Sequence, residues 1–287
     1  MTISELARFH LGYPPPGIDE LVCDDGEPME SSRHREQMIL LIHTLRDHLS
    51  FRSDVYIGGN EFLYFSETQA RNNDFRGPDV FVVLGVEPGE RKAWVTWLEG
   101  GKTPDVVIEL SSVSTWEEDY GHKQRVYAQR LGVKEYFVYD PFSGQLDGFS
   151  LAQATREYQS LAPNSQGRLP VTQLGLELGV LPGDFQGSKI PWLRWFTPDG
   201  RPLATSEEKL ADERQRVQLE KQRADAERQY AEAEKQRAEA EKQRAEAEKQ
   251  RAEAEKRRAD LEAAARAEAE ERIRVLEAKL AGQRQSK

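Results

Sequence analysis

The chain has 287 residues, 38% of them hydrophobic and 31% charged, with a formal net charge of −10. Residues 204–287 hold 21 Lys and Arg against 21 Asp and Glu, so the net negative charge falls on residues 1–203, along with all five Trp and all eleven Phe. The first segment can bury a core and the second cannot; one cysteine, Cys23, excludes an internal disulfide or a Cys-rich zinc site, and an acidic body argues against coating nucleic acid through bulk positive charge.

No apolar run reaches the ~18 residues of a membrane span. The start, MTISELARFH, lacks the basic-then-apolar order of a secretory signal. The expectation is a soluble cytoplasmic protein with no membrane partner. Residues 1–30, rich in Pro and acids from residue 11 onward, read as an irregular lead-in. Ser31 or Ser32 can cap a helix starting near Arg33, and Met38, Leu41, Ile42, Leu45 and Leu49 recur at helical spacing. Asp54-Val-Tyr-Ile and Glu61-Phe-Leu-Tyr-Phe read as strands paired around Gly58-Gly59-Asn60.

Two stretches then resemble each other. Gly77-Pro-Asp-Val-Phe-Val-Val-Leu and Thr103-Pro-Asp-Val-Val-Ile-Glu-Leu both open on Pro-Asp and run into β-branched apolar residues, the pattern of buried central strands. Residues 115–131 fit a helix capped by Thr115, with acids in its first turn and Gly132 as its stop. Glu135-Tyr-Phe-Val-Tyr-Asp follows as a strand ended by Pro141. This strand–helix–strand order predicts an α/β domain over 31–203, built on a right-handed crossover in a mixed sheet. From Gln145 to about Trp195 the pattern is of further short strands and turns.

Residues 204–287 carry a charged seven-residue repeat, with EKQRAEA three times in succession. Only Ala fills its apolar positions, and their spacing forms no three–four seam. Glu239, Lys242 and Glu246 stand at i+3 and i+4 spacing, and each such pair contributes roughly 0.2–0.5 kcal/mol to a helix. The expectation is a long solvated single helix. A weak Ala-lined coiled coil giving a homodimer and a disordered segment remain open alternatives. Leu261, Ile273, Leu276 and Leu280 make contact with a protein partner more plausible near the end than within the repeat.

Asp79, Glu109 and Lys123 form the informative constellation. Two acids on adjacent buried strands are costly unless they share a cation or hydrogen bonds. Oxygen ligands suit Mg²⁺ or Mn²⁺, and a nearby lysine can orient or deprotonate a water. Those are the parts of metal-assisted phosphodiester hydrolysis. Asp105 shares the local setting of Asp79, but there a structural role is preferred. Ser111, Ser114 and Thr115 read as helix-capping groups, with no His–Asp arrangement beside them to make a nucleophile.

The ordered run Pro78-Asp79, Pro104-Asp105-Val-Val-Ile-Glu109-Leu-Ser111, Ser114-Thr115, Asp119, Lys123, Tyr127, Gly132-Val133, Glu135-Tyr136 and Asp140-Pro141 resembles the Uma2 family, within the PD-(D/E)XK superfamily of restriction-endonuclease-like proteins. The resemblance spans roughly residues 30–195 and implies a restriction-endonuclease-like mixed β-sheet core flanked by helices, followed here by the charged helix. It also implies a metal-dependent endonuclease acting on DNA. Asp79 and Glu109 would ligate Mg²⁺ or Mn²⁺, with the backbone carbonyl of Leu110 as a further ligand. The superfamily's usual lysine position, two after the glutamate, is Ser111 here. The resemblance therefore assigns the lysine role to Lys123, with Tyr127 supporting and Glu36 a weaker candidate for a second metal contact. A DNA groove would need a local basic patch, for which Arg33, Arg35, Arg71, Arg76 and Arg125 are candidates. The competing reading is a non-catalytic scaffold: a repurposed nuclease fold whose helix sets spacing or recruits a partner.

Overall fold

The computed structural model describes residues 15–23, 31–71 and 77–284. Most of the expected lead-in lies outside these; at 15–23 a single 3₁₀ turn occupies Ile18–Glu20. Helix α1 runs Ser32–His48, with the Ser31 hydroxyl accepting the His34 N–H as its cap. The predicted stripe is its buried face, where Leu41, Ile42, Leu45 and Leu49 enter the main core and Met38 packs against it.

Eleven strands follow among the described residues. β1 (Val55–Gly58), β3 (Val80–Leu84), β5 (Val106–Leu110), β6 (Glu135–Tyr139), β7 (Leu146–Ala152) and β8 (Glu157–Ser160) form one sheet in the order β1-β3-β5-β6-β7-β8. Only β5 and β6 are parallel neighbours in it. A short helix α2 (Glu67–Arg71) precedes β3, and the segment 116–131, α3, joins β5 to β6, as the crossover pattern predicts. β9 (Leu169–Val171), β10 (Leu176–Phe185) and β11 (Ser188–Phe196) make a second, antiparallel sheet. The β10–β11 hairpin has nine registered pairs, a longer unit than the short strands expected there.

Successive residues of a strand face opposite sides of its sheet, and β3 and β5 are apolar on both. Val80, Val82, Val106 and Ile108 join a core with α1 and the second sheet. Phe81, Val83 and Val107 face the other way, against Tyr127 and Leu131 of α3. Burial on two sides explains the continuous apolar runs.

The strand pairing expected around Gly58-Gly59-Asn60 does not form. β1 pairs with β3, while β2 (Leu63–Tyr64) pairs in parallel with β4 (Trp94–Val95). All four β1 residues are buried, and the Asn60 N–H goes to the Pro78 carbonyl instead of closing a hairpin. Thr115 does stand before the first turn of α3, but its hydroxyl accepts the Ser112 N–H rather than a helix N–H. Gly132 ends the segment in the left-handed conformation (φ 67°), as the sequence suggests.

The chain divides into two compact units, Met1–Leu210 and Ala211–Lys287. The last helix, α4, spans Ser206–Arg284. Its start is a capping box: the Thr205 hydroxyl accepts the Glu208 N–H at 3.1 Å while Glu208 Oε2 accepts the Thr205 N–H at 2.7 Å. Glu208 also takes both terminal nitrogens of buried Arg194, at 3.0 and 2.7 Å. Beyond this start the described side chains of α4 are exposed, and Glu239, Lys242 and Glu246 do not close to ion-pair distance. Exposed pairs of this kind are worth little. No described helix is long and apolar enough to cross a membrane.

Candidate active site

The register that sets Val80 opposite Ile108 places Asp79, one residue before β3, opposite Glu109 near the end of β5. Both share the odd-numbered parity of Phe81, Val83 and Val107, so both face α3. Gly59 packs its backbone against this point. A Cβ there would lie 2.7 Å from the Asp79 carbonyl oxygen and 2.4 Å from Ile42 Cδ1, which only glycine avoids.

From α3, Lys123 Nζ donates to Glu109 Oε2 at 3.0 Å and pairs with Asp119 Oδ1 at 2.8 Å. The Tyr127 hydroxyl donates to Glu109 Oε1 at 2.7 Å, and Asp79 Oδ2 accepts the Leu110 N–H at 2.7 Å. The winding of α3 makes this convergence possible. Asp119–Lys123 and Tyr127–Leu131 are π-turns on either side of α-helical Gln124–Val126. In a plain α-helix, residues four apart drift by about 40° and eight apart by about 80°. The wider i→i+5 turns take that drift back, so Asp119, Lys123 and Tyr127 stay in one file above Glu109.

The cluster is electrostatically unbalanced: three carboxylates, those of Asp79, Glu109 and Asp119, face one ammonium. Glu109 and Asp119 are each only 1% exposed. Burial pushes the Glu109 carboxyl up to about 8; Lys123 and the Tyr127 hydroxyl oppose that, and Asp79 and Asp119 add to it. Burial likewise lifts Asp79 to about 6 against the pull of the Leu110 N–H and Lys123. Burial alone would lower the Lys123 pKa, but Glu109, Asp119 and Asp79 overcome it and hold the amine protonated.

The donor set suits a hard cation. It is all oxygen, and each Glu109 oxygen has a single hydrogen-bond donor, leaving lone pairs to spare. The raised pKa values mark a deficit of positive charge that a divalent ion would offset. Among the described residues no group of three or more His, Cys, Asp or Glu has metal-cage geometry. Mg²⁺ uses one or two carboxylates and keeps several waters, so a cage is not a requirement.

Asp79, Glu109, Lys123 and Tyr127 thus meet, and Leu110 touches the group through its N–H. Ser111 lies two residues after Glu109 on the same strand face, is 2% exposed, and its hydroxyl has no protein partner among the described residues. Glu36 is half-buried on α1, and among the described residues no hydrogen bond or ion pair links it to Asp79 or Glu109. Of the basic candidates, Arg33 reaches the Pro141 carbonyl and lies over the Phe142 ring, while Arg35 and Arg125 are exposed. The Arg71 side chain and Arg76 lie outside the described residues. Asp119 was not among the candidate site residues because an acid in a first turn reads as a helix-terminal charge. Its i+4 spacing to Lys123 was the available signal.

The Uma2 family model, described as "Putative restriction endonuclease", matches residues 20–181. A crystal structure described as "a putative nuclease belonging to DUF820" from Anabaena variabilis ATCC 29413 is 13% identical, covering 61% of this chain and 90% of that one at a TM-score of 0.38. No curated protein matches the chain. The family match takes in more than half of the sequence and every residue of the Asp79 cluster; the chain belongs to the Uma2 family.

Proposed function

We propose that the protein is a metal-dependent endodeoxyribonuclease that hydrolyses DNA phosphodiester bonds at the Asp79–Glu109–Lys123 cluster. One observation carries the reading: the half-buried Asp79 and the buried Glu109 stand opposite each other beside a single lysine that is ion-paired to Glu109 and to a third acid, Asp119, a charge arrangement that favours a bound cation. Family membership supports the nuclease class.

Asp79 and Glu109 would hold Mg²⁺ or Mn²⁺, with the Leu110 carbonyl as a further oxygen. Bound there, such an ion would supply Lewis-acid polarisation of a phosphoryl oxygen. The remaining roles fall to the chain itself. Tyr127 fixes the Glu109 carboxylate through its 2.7 Å bond. Asp119 steadies the Lys123 ammonium at 2.8 Å. Held protonated, Lys123 is a donor to a phosphate oxygen or to the attacking water rather than the base that deprotonates it. Its charge is present before the reaction begins, which is how preorganised electrostatic stabilisation acts.

The test is cleavage of supercoiled and linear DNA by the full chain with Mg²⁺ or Mn²⁺, beside Asp79→Asn and Glu109→Gln. Metal-dependent nicking lost in both variants supports the proposal. Cation affinity by calorimetry that is the same in all three proteins, with no cleavage, overturns it and leaves the scaffold reading.

A further inference from the structure

A cleft of about 270 Å³ lies one strand repeat past Glu109, its lining including Ser111, Ser112, Trp116, Tyr120, Asp140 and Gln145. Its place follows from strand geometry. Ser111 is the next residue after Glu109 on that face of β5, about 7 Å along the strand. Asp140 continues the α3-facing parity of Tyr136 and Val138 just past β6. The cleft therefore opens beyond the carboxyl ends of the parallel pair β5 and β6, under the first turn of α3, where open α/β sheets take ligands.

Its chemistry is divided. On one side, Trp116 is 54% exposed and packs its ring against Tyr120, centroids 5.4 Å apart. The Tyr120 hydroxyl is fixed on Asp147 Oδ2 at 2.6 Å. An exposed indole backed by a fixed second ring is a stacking platform. The other side is acceptor-rich. Asp140 receives the Phe142 N–H and the Ser143 hydroxyl, both at 2.7 Å, which leaves further lone pairs on its carboxylate. The enclosed Ser111 hydroxyl has no protein partner among the described residues. The Asp140 carboxylate in the wall disfavours a phosphate, and the volume lies just below the ~300–1,000 Å³ of whole-ligand pockets. A flat heterocycle bearing an amino group meets both sides.

We infer that this cleft receives one unpaired nucleobase carrying an exocyclic amine, cytosine or adenine, from the strand whose phosphate lies at the Asp79 cluster. The inference rests on the nuclease reading and deepens it: the substrate is single-stranded or locally unpaired DNA. Trp116 stacks on the base. Asp140 accepts from its amine, the pairing acids make with cytosine N4.

The test is fluorescence anisotropy of labelled dC12, dA12 and dT12 with the full chain in buffer containing Ca²⁺, a hard cation that offsets the cluster's negative charge, a readout independent of cleavage. The wild type should bind dC12 and dA12 more tightly than dT12. Trp116→Ala should weaken dC12 and dA12 by roughly 5- to 150-fold, the range for losing one stacking ring, and Trp116→Phe should restore most of it. Asp140→Asn, which retains an acceptor for the Phe142 N–H, should erase the preference over dT12. Binding by Trp116→Ala equal to wild type, or no base preference in the wild type, overturns the inference even where DNA is cut. A base preference lost in Trp116→Ala without cleavage under any metal supports the cleft and counts only against the nuclease reading.

Discussion

Asp79 and Asp105 occupy matched positions in the sheet: each carboxylate accepts, at 2.7 Å, the backbone N–H of the leucine that ends the other's strand, Leu110 for Asp79 and Leu84 for Asp105. The repeated Pro-Asp is therefore a strand-pairing device used twice. What differs is the company. Asp105 has its own ion pair, to Lys134 at 2.7 Å, whereas Asp79 faces Glu109 and feels Lys123 only through space, the ion pairs of Lys123 going to Glu109 and Asp119. Asp105→Ala should cost about 1 kcal/mol, since the half-buried Leu84 N–H loses its acceptor, with Mn²⁺ affinity unchanged. Asp79→Asn keeps an acceptor for Leu110 and should hold its stability while Mn²⁺ binding falls at least ~10-fold, the scale of losing a metal-site partner. Urea unfolding and calorimetry on the two variants check both.

Stability should fall as pH rises through the neutral range in metal-free buffer. Asp79 and Glu109 have native pKa values raised to about 6 and about 8. Their contribution is complete below the unfolded carboxylate pKa, near ~4, and is lost as pH climbs through the native values. Between pH 5 and 8 the wild type should lose on the order of 3 kcal/mol relative to Glu109→Gln. Parallel stability–pH curves for the two proteins in urea melts would contradict this.

Removing the ammonium should be worse than removing an acid. Lys123→Met leaves Glu109 and Asp119 buried without their cation, and breaking a buried pair from one side costs about 3–5 kcal/mol. Acid should soften the loss, since a protonated Glu109 no longer needs a partner. The drop in urea midpoint should be larger at pH 8 than at pH 5, and Glu109→Gln added to Lys123→Met should recover part of it.

Glu208 closes the capping box of α4 and is the carboxylate partner of buried Arg194. Glu208→Ala should destabilise the Met1–Leu210 unit by about 1–3 kcal/mol, a cap plus a charge-assisted bond partly open to solvent. Its native pKa is lowered, chiefly by the hydrogen bond from Arg194. The contribution is thus present above the unfolded value and fades as pH falls through the native one. Thermal melts at pH 7 and pH 3 should show the variant's deficit shrinking in acid.

Much of this was legible in the residues. The α1 stripe, the two Pro-Asp strands and the β5–α3–β6 crossover rest on local periodicity, and they formed as read. β1 and β2 did not pair with each other, because Gly58-Gly59-Asn60 signals a turn but not which strands the turn delivers to. Those partners, β3 and β4, lie 20 or more residues away. Glu109 stood out because an acid within an apolar run has little structural excuse. Asp119 did not, since its burial depends on α3 lying over the sheet. Thr205-Ser-Glu-Glu208 matches the capping-box spacing and is the signal that marks the start of α4.

The alternating winding of α3 ties function to counting as well as to chemistry. A run that advances close to four residues per turn keeps every fourth side chain on a common line, so one inserted or deleted residue between Asp119 and Tyr127 would carry the ammonium or the phenol off that line while every residue type survived. Variants that lengthen or shorten this stretch should disable the protein more thoroughly than most single replacements within it, and the length of that interval is as much a part of the site as its side chains.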